Sequence, residues 1–246
     1  MPEKIAFITG GNRGLGFQTA LDLKDFATVI IGSRDLDQGQ AAVEKLRNAG
    51  VEAEVIQFDV TKPAHHRAAY DLFAAKYGRL DILVNNAGIA GGAFSVAGPE
   101  HSAISVPQDV LRRVFETNFF STVALTVSLL PLLKKSPAGR IVNLSSIVAS
   151  LTLHSDPKSP IYDSNSFAYD ASKTALNAFT VHLAYELRDT NIKVNSAHPG
   201  WVKTELGGPH ATMELSEGAQ TSVALATLPA DGPTGGFFHQ DKTVPW

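Results

Sequence analysis

A phenol and an ammonium four residues apart can share a proton-transfer task. In the segment YDASK, Tyr169 and Lys173 stand at i and i+4, so on a helix they share one face with Cβ atoms about 6 Å apart. A neighbouring cation favours the phenolate, which on this reading lowers the pKa of Tyr169 and lets it hand a proton to a substrate near neutral pH. Such pairs also occur on ordinary solvated helices. This one carries weight because a serine upstream and a glycine turn near the N-terminus point to the same chemistry.

That turn is TGGNRGLG, where Gly10, Gly14 and Gly16 have the spacing G-x-x-x-G-x-G, with Asn12, Arg13 and Leu15 between them. It falls between an apolar strand and a helix, the context of a dinucleotide fingerprint. Without side chains the backbone can approach a pyrophosphate, and the helix N-terminus offers unpaired N–H groups with a partial positive charge. The next strand ends in GSRD. Ser33 stands where an NAD enzyme places its ribose acid, Arg34 follows it, and Arg13 is a second cation. Two arginines and no carboxylate at the tip favour NADPH, with NAD as the weaker alternative. Asp35 would become the ribose acid if the register moved slightly, and the bland reading makes Arg34 and Asp35 solvated loop charges. Asp59 and Val60 end a third strand and face an adenine edge or form a turn. Asn86, Ala87 and Gly88, within NNAG, follow a buried LDILV strand and belong to backbone that passes close to a ligand.

The elements positioning these residues alternate. Strands are expected at Lys4–Thr9, Thr28–Gly32, Glu54–Phe58, Ile82–Val84 and Arg140–Leu144, with helices from Gly14 to Leu23, Leu36 to Ala49, Ala64 to Tyr77 and Gln108 to Leu133. Gly50 closes the second helix. Residues 145–166 read as a long loop rich in Ser, Asp and Pro before the Tyr169 helix. Short helical pieces at 214–228 and a strand near 235–239 complete the chain. Strands separated by helices of this length run parallel, and parallel sheets carry their sites beyond the carboxyl ends of the strands. The expectation is one α/β domain over 1–246, Rossmann-type and doubly wound, with a mostly or wholly parallel sheet of about seven strands.

Composition narrows the function classes. The 246 residues are 44% hydrophobic and 18% charged, with a formal net charge of −3. The 21 Lys and Arg are scattered rather than striped, so no nucleic-acid footprint is expected. No membrane-spanning run and no secretory leader are read. Cysteine is absent, which excludes disulfides and thiolate chemistry and suits a cytoplasmic setting. The eight His, His154 and His198 among them, show no ligand spacing such as H-E-x-x-H, so no metal is assigned.

Taken in order, TGGNRGLG, the DV at Asp59, NNAG, Asn118 in FETNFF, NLSS at Asn143–Ser146, YDASK and HPGWVKT at His198–Thr204 resemble the short-chain dehydrogenases/reductases of the single-domain type. TGGNRG, GSRD, GQAAVEKL and PGWVKTEL are most similar to the NADPH-dependent carbonyl-reductase branch. The resemblance implies that Tyr169 protonates a carbonyl oxygen as hydride arrives from a nicotinamide. Lys173 would lower the pKa of that phenol and bind the nicotinamide ribose. Ser146, rather than Ser145, would hydrogen-bond the oxygen, and Asn118 would hold a water relaying a proton towards Lys173. Pro199, Gly200, Val202 and Thr204 would line the nicotinamide pocket. The implied partner is a small carbonyl or alcohol compound. An NAD-linked alcohol dehydrogenase differs only at Ser33–Asp35, and a dinucleotide-binding sensor without turnover would dispense with the acid or its lysine.

One departure stands out. Ser146 and Tyr169 lie 23 positions apart, wider than the family spacing, so 147–165 reads as an insertion covering the substrate pocket. Lying before the helix that in the resembled family normally pairs between subunits, it leaves monomer, dimer or tetramer open. Tyr162 lacks a lysine at i+4 and reads as a surface aromatic. Phe94, Leu151, Leu153 and Trp201 suggest a hydrophobic substrate.

Overall fold

In a computed structural model the described residues are 4–91, 102–164 and 166–246; Phe94 lies outside them. One eight-stranded sheet runs β3-β2-β1-β4-β5-β6-β7-β8. Its strands are β1 (Lys4–Thr9), β2 (Ala27–Ser33), β3 (Ala53–Gln57), β4 (Ile82–Asn85), β5 (Arg140–Leu144), β6 (Lys193–Ala197), β7 (Phe237–His239) and β8 (Lys242–Thr243). All neighbours pair in parallel except β7 and β8. The order reverses beside β1, between its neighbours β2 and β4, which creates a crevice at the carboxyl ends of the strands.

The strands alternate their burial between two helical layers. Phe7, Ile30, Leu83, Ile141 and Val194 face α3 (Pro63–Lys76), α5 (Ser121–Leu133) and α7 (Phe167–Glu186), where Phe73, Leu125, Leu129 and Leu183 complete one core. Ala6, Ile8, Ile31, Val84 and Val142 face the layer of α1 (Gly14–Asp22), α2 (Leu36–Asn48) and α8 (Leu215–Ala226), which supplies Ala20, Leu46 and Leu225. This period of two, buried on both faces, is why the strands read as continuous apolar runs.

Local chemistry sets the helix ends. The Asp35 carboxylate caps α2 by accepting from the Gln38 N–H at 3.0 Å, and Pro63 opens α3 where its missing N–H costs nothing. Gly50, at φ +88°, follows the end of α2. Arg140, 2% exposed, donates to the carbonyls of Leu228, Pro229, Gly139 and Asn191 and ties β5 to the chain after α8.

The structure departs from the sequence reading in several places, among them strand β6 (Lys193–Ala197), which no expected element covered. The helix expected over 108–133 is α4 (Gln108–Phe115), a π-turn at Glu116–Phe120 and α5. This run is long and apolar enough to cross a membrane by length and composition, and its Val114, Leu125, Leu129 and Leu132 are buried inside the fold. The loop expected at 145–166 holds a 3-10 turn, Ile147–Ala149, and a short helix α6, Leu151–His154. The sheet has an eighth strand, antiparallel and two residues long, too short to leave a periodic signal. Strand β4 extends to Asn85, whose Nδ2 donates to Asn143 Oδ1 at 2.8 Å on neighbouring β5 and lies 3.0 Å from Thr126 Oγ1.

Candidate active site

The glycine turn is built as its spacing predicts. Gly10 and Gly14 have φ of +64° and +56°, in the left-handed region that favours glycine. A Cβ at Gly16 would lie 2.5 Å from both Asn86 Nδ2 and the Gly10 carbonyl oxygen. No side chain caps α1, so its first N–H groups are available to an anion. Asn86 braces the turn from the next crossover, donating from Nδ2 to the carbonyls of Thr9 at 2.8 Å and Gly10 at 3.1 Å. The Thr9 hydroxyl accepts from the Asn86 and Ala87 N–H groups. Thr9 was not singled out in the sequence; its place as the last residue of β1 was the available signal.

At the tip of β2 the alternatives separate. Asp35 is occupied as the α2 cap, and Ser33 Oγ donates to the Asp35 carbonyl at 2.6 Å. Arg34 is exposed. Its charge helps to hold the Asp59 carboxyl below the usual range: burial pushes Asp59 up, but hydrogen bonds from the Thr61 N–H and hydroxyl, then Arg34 and Lys62, outweigh it. Asp59 is thus engaged in its own turn, while Val60 is buried. Arg13, read as a second cation within reach of the 2′-phosphate, pairs with Glu205 on the surface; the two are 192 residues apart, beyond the reach of local pattern. Asn12 donates to Gln38 at 3.4 Å.

The segment after β6 closes over this turn. A Cβ at Gly14 would lie 3.7 Å from the Thr204 methyl, and Gly218 on α8 brings Val202 and Leu15 together. Gly200 has φ +89°, and its missing Cβ leaves room for Met213. Pro199 is buried. His198 accepts from the Ile147 N–H at 3.1 Å; burial, then His239, lowers its pKa to about 3, so it stays neutral at ordinary pH. Among the described residues no group of His, Asp and Glu side chains could hold a metal ion.

Ser146, Tyr169, Lys173 and Asn118 converge from β5, α7 and the π-turn. Tyr169 is 6% exposed and hydrogen-bonded to Ser146. Ser145 turns away and donates to Asn177 at 2.7 Å. Lys173 Nζ lies 5.6 Å from the Tyr169 ring centroid and donates to the Leu144 carbonyl at 2.6 Å. A Cβ at Gly88 would meet Lys173 Nζ at 3.4 Å and Asn118 Oδ1 at 3.3 Å. The Asn118 amide is engaged with the Ile89 N–H and carbonyl and with Ser172 Oγ. Tyr162 is 47% exposed, in line with a surface role.

Electrostatics correct one expectation. Burial pushes the Tyr169 phenol above its ordinary range, the Asp170 charge adds to that, and the Ser146 hydrogen bond opposes it. Lys173, turned to the Leu144 carbonyl, does not bring about the lowering expected from its spacing; burial takes its own pKa down to about 8. Asp170 was not singled out in the sequence. Burial raises it to about 7 against the hydrogen bond from the Ser166 N–H. A folded-state pKa raised from the ordinary 3.8 means the fold holds this proton more tightly than the unfolded chain. The resulting stability is present below about pH 4 and lost as pH rises through about 7. Asp170→Asn is therefore expected to melt above wild type at pH 8 and to lose less stability than wild type between pH 4 and 8, as read by thermal unfolding at several pH values.

Comparison with known proteins agrees with this geometry. Residues 4–215 match the family model described as short chain dehydrogenase. The chain is 34% identical to carbonyl reductase (NADPH) 1 of Mus musculus, with 98% of each chain covered. Among solved structures it resembles salutaridine reductase from Papaver somniferum, with 29% identity, TM-score 0.80 and 96% and 99% of the two chains covered. It also resembles the carbonyl reductase Sniffer of D. melanogaster, with 28% identity, TM-score 0.82 and both chains covered fully. With the glycine turn, NNAG and the Ser146–Tyr169–Lys173 cluster at one edge of a doubly wound sheet, this chain belongs to the short-chain dehydrogenase family.

Proposed function

We propose that this chain is an NADPH-dependent reductase of small aldehydes or ketones, reversible as an alcohol dehydrogenase. The observation that carries it is the meeting of a buried Tyr169, hydrogen-bonded to Ser146, with Lys173 beside a glycine turn shaped for a pyrophosphate. The cradle at Gly10, Gly14 and Gly16 and the Arg34 guanidinium suit a dinucleotide with a 2′-phosphate, and Pro199 to Thr204 would flank its nicotinamide end. When bound there, NADPH supplies the hydride.

The chain's residues handle the oxygen and its proton. The Ser146 hydroxyl donates to the carbonyl oxygen where negative charge develops. As the carbonyl carbon accepts hydride and the C=O π bond breaks, Tyr169 passes its phenolic proton to that oxygen. Lys173 holds the nicotinamide ribose when the cofactor is bound, and Asn118 orients a water returning a proton from solvent. A mainly apolar cavity of about 410 Å³ lined by Ile147, Leu153, His198, Trp201, Met213 and Val244 supports a hydrophobic substrate; Ile147, next to Ser146 in the chain, and Leu153 form part of its wall, while Ser146, Tyr169 and Lys173 lie outside its lining. That size falls within the usual range for small-ligand sites.

The test is loss of nicotinamide absorbance with NADPH and a panel of carbonyl compounds; tight NADPH binding without turnover on any of them would favour a sensor. For cofactor choice, Arg34→Ala is expected to lower the NADPH-to-NADH activity ratio by about tenfold or more, the worth of one charge-assisted contact. An unchanged ratio would favour the NAD-linked alternative.

A further inference from the structure

One imidazole nitrogen ties the reacting end of the sheet to the segment that follows β6. His198 Nδ1 accepts from the Ile147 N–H at 3.1 Å and from the Gly200 N–H at 3.3 Å. A nitrogen that accepts two backbone N–H groups carries no proton, so in the neutral ring the proton sits on Nε2. Burial, which lowers its pKa, keeps that ring neutral. His239 stands beside it with ring centroids 4.8 Å apart. The His239 Nδ1 lies 3.0 Å from the His198 carbonyl oxygen. A carbonyl only accepts, so Nδ1 holds the proton and Nε2 of the neutral His239 ring is an acceptor. The backbone thus fixes opposite tautomers in two adjacent rings.

Neither Nε2 has a hydrogen-bond partner among the described residues. Both rings line the mainly apolar cavity of about 410 Å³, and their Nε2 edges are what the backbone leaves to it. Ile147 and Leu153 share that lining and pack in one cluster with Tyr169, so the cavity adjoins the proposed proton donor. The other polar groups of the lining are spent or outside: Trp201 Nε1 donates to the Gly207 carbonyl at 2.8 Å, and Lys242 and Thr243 are exposed. His198 is 8% exposed. An unmatched N–H so nearly buried costs free energy that a matching ligand recovers.

We infer that His198 and His239 are a specificity element for a hydroxyl group: the substrate is a hydrophobic aldehyde or ketone whose own hydroxyl, away from the carbonyl, accepts from His198 Nε2 and donates to His239 Nε2. The inference rests on the reductase reading above. A hydroxyl offers an acceptor and a donor from one atom, which suits a donor and an acceptor on adjacent rings. A second carbonyl or an ether would satisfy His198 alone, and a carboxylate would set a lone pair against that of His239.

The experiment measures kcat/KM with NADPH at pH 8, above the ordinary imidazole range. The substrates are matched aryl ketones carrying a ring methyl or a ring hydroxymethyl group at the ortho, meta or para position, so that each pair differs by one non-ionising hydroxyl. The ratio within each pair is read, and a general change in rate cancels from it. Wild type is expected to prefer the hydroxymethyl member about tenfold at one of the positions, the worth of one or two hydrogen bonds. In His198→Asn an amide oxygen takes the place of Nδ1 while the ring donor is lost; His239→Phe removes the acceptor. Each is expected to bring the ratio to about two or less. Thermal unfolding identifies which variant is folded, and either alone carries the test. Ratios near one at every position in wild type, or an unchanged ratio in a folded variant, would overturn hydroxyl recognition. Isothermal titration of the same pairs keeps the two readings apart. Tighter binding of the hydroxymethyl member, lost in the variant, with no ketone reduced would overturn the reductase reading and support the His pair; neither turnover nor binding of any member would overturn both.

Discussion

Tyr169→Phe is expected to lower carbonyl-dependent NADPH oxidation by about 10² to 10⁴-fold, the usual contribution of a positioned general acid. NADPH affinity should change little, because the substitution removes one oxygen and leaves the ring packed with Ile161 and Val148. The contrast between lost turnover and kept binding, measured by steady-state rates and by quenching of intrinsic fluorescence, separates a chemical role from a structural one. Since burial holds the phenol's proton tightly, the wild-type enzyme should keep its donor protonated over the whole neutral range. Turnover within threefold of wild type would remove Tyr169 from the reaction.

Gly16→Ala acts at the opposite end of the crevice. Its Cβ would stand 2.5 Å from the Gly10 carbonyl and 2.5 Å from Asn86 Nδ2, contacts that no real methyl sustains. The helix start must shift, or Asn86 must release the Thr9 and Gly10 carbonyls; either change opens the turn. Overpacking of this kind costs about 1 to 3 kcal/mol. Relief comes from moving the backbone that meets the pyrophosphate, so NADPH affinity is expected to fall by about tenfold to a hundredfold. Isothermal titration with NADPH reads this directly, and affinity equal to wild type would show that Gly16 does not shape the cofactor site.

These two residues also mark how far the sequence is legible. Gly16 and the Tyr169–Lys173 pair are visible because their meaning is local: a glycine two residues into a helix start, and side chains one helical turn apart. The strands of the central sheet are visible because burial on both faces leaves continuous apolar runs. What the sequence hides depends on tertiary approach. Arg13 reads as a cation within reach of the 2′-phosphate until Glu205 arrives from the far side of β6. Asp35 reads as a candidate ribose ligand until its carboxylate is seen capping α2. Lys173 was expected to make Tyr169 more acidic on spacing alone, but desolvation depends on what covers the pair, which no i, i+4 pattern records. Asp170, in plain sight beside the tyrosine, lacked meaning until its burial was known.

The π-turn at Glu116–Phe120 has a consequence for how this gene can vary. A π-turn is an α-helix carrying one surplus residue, and absorbing that residue locally keeps the faces of α4 and α5 in phase while widening the turn that carries Asn118. Deleting a single codon within it would restore regular helix with both halves still facing the core. Leu125 and Leu129 would stay buried, whereas Asn118 would lose the wide turn from which it reaches Ile89 and Ser172. The fold thus tolerates a length change that the site does not, and a designer who idealises the helix would erase the site while improving the scaffold.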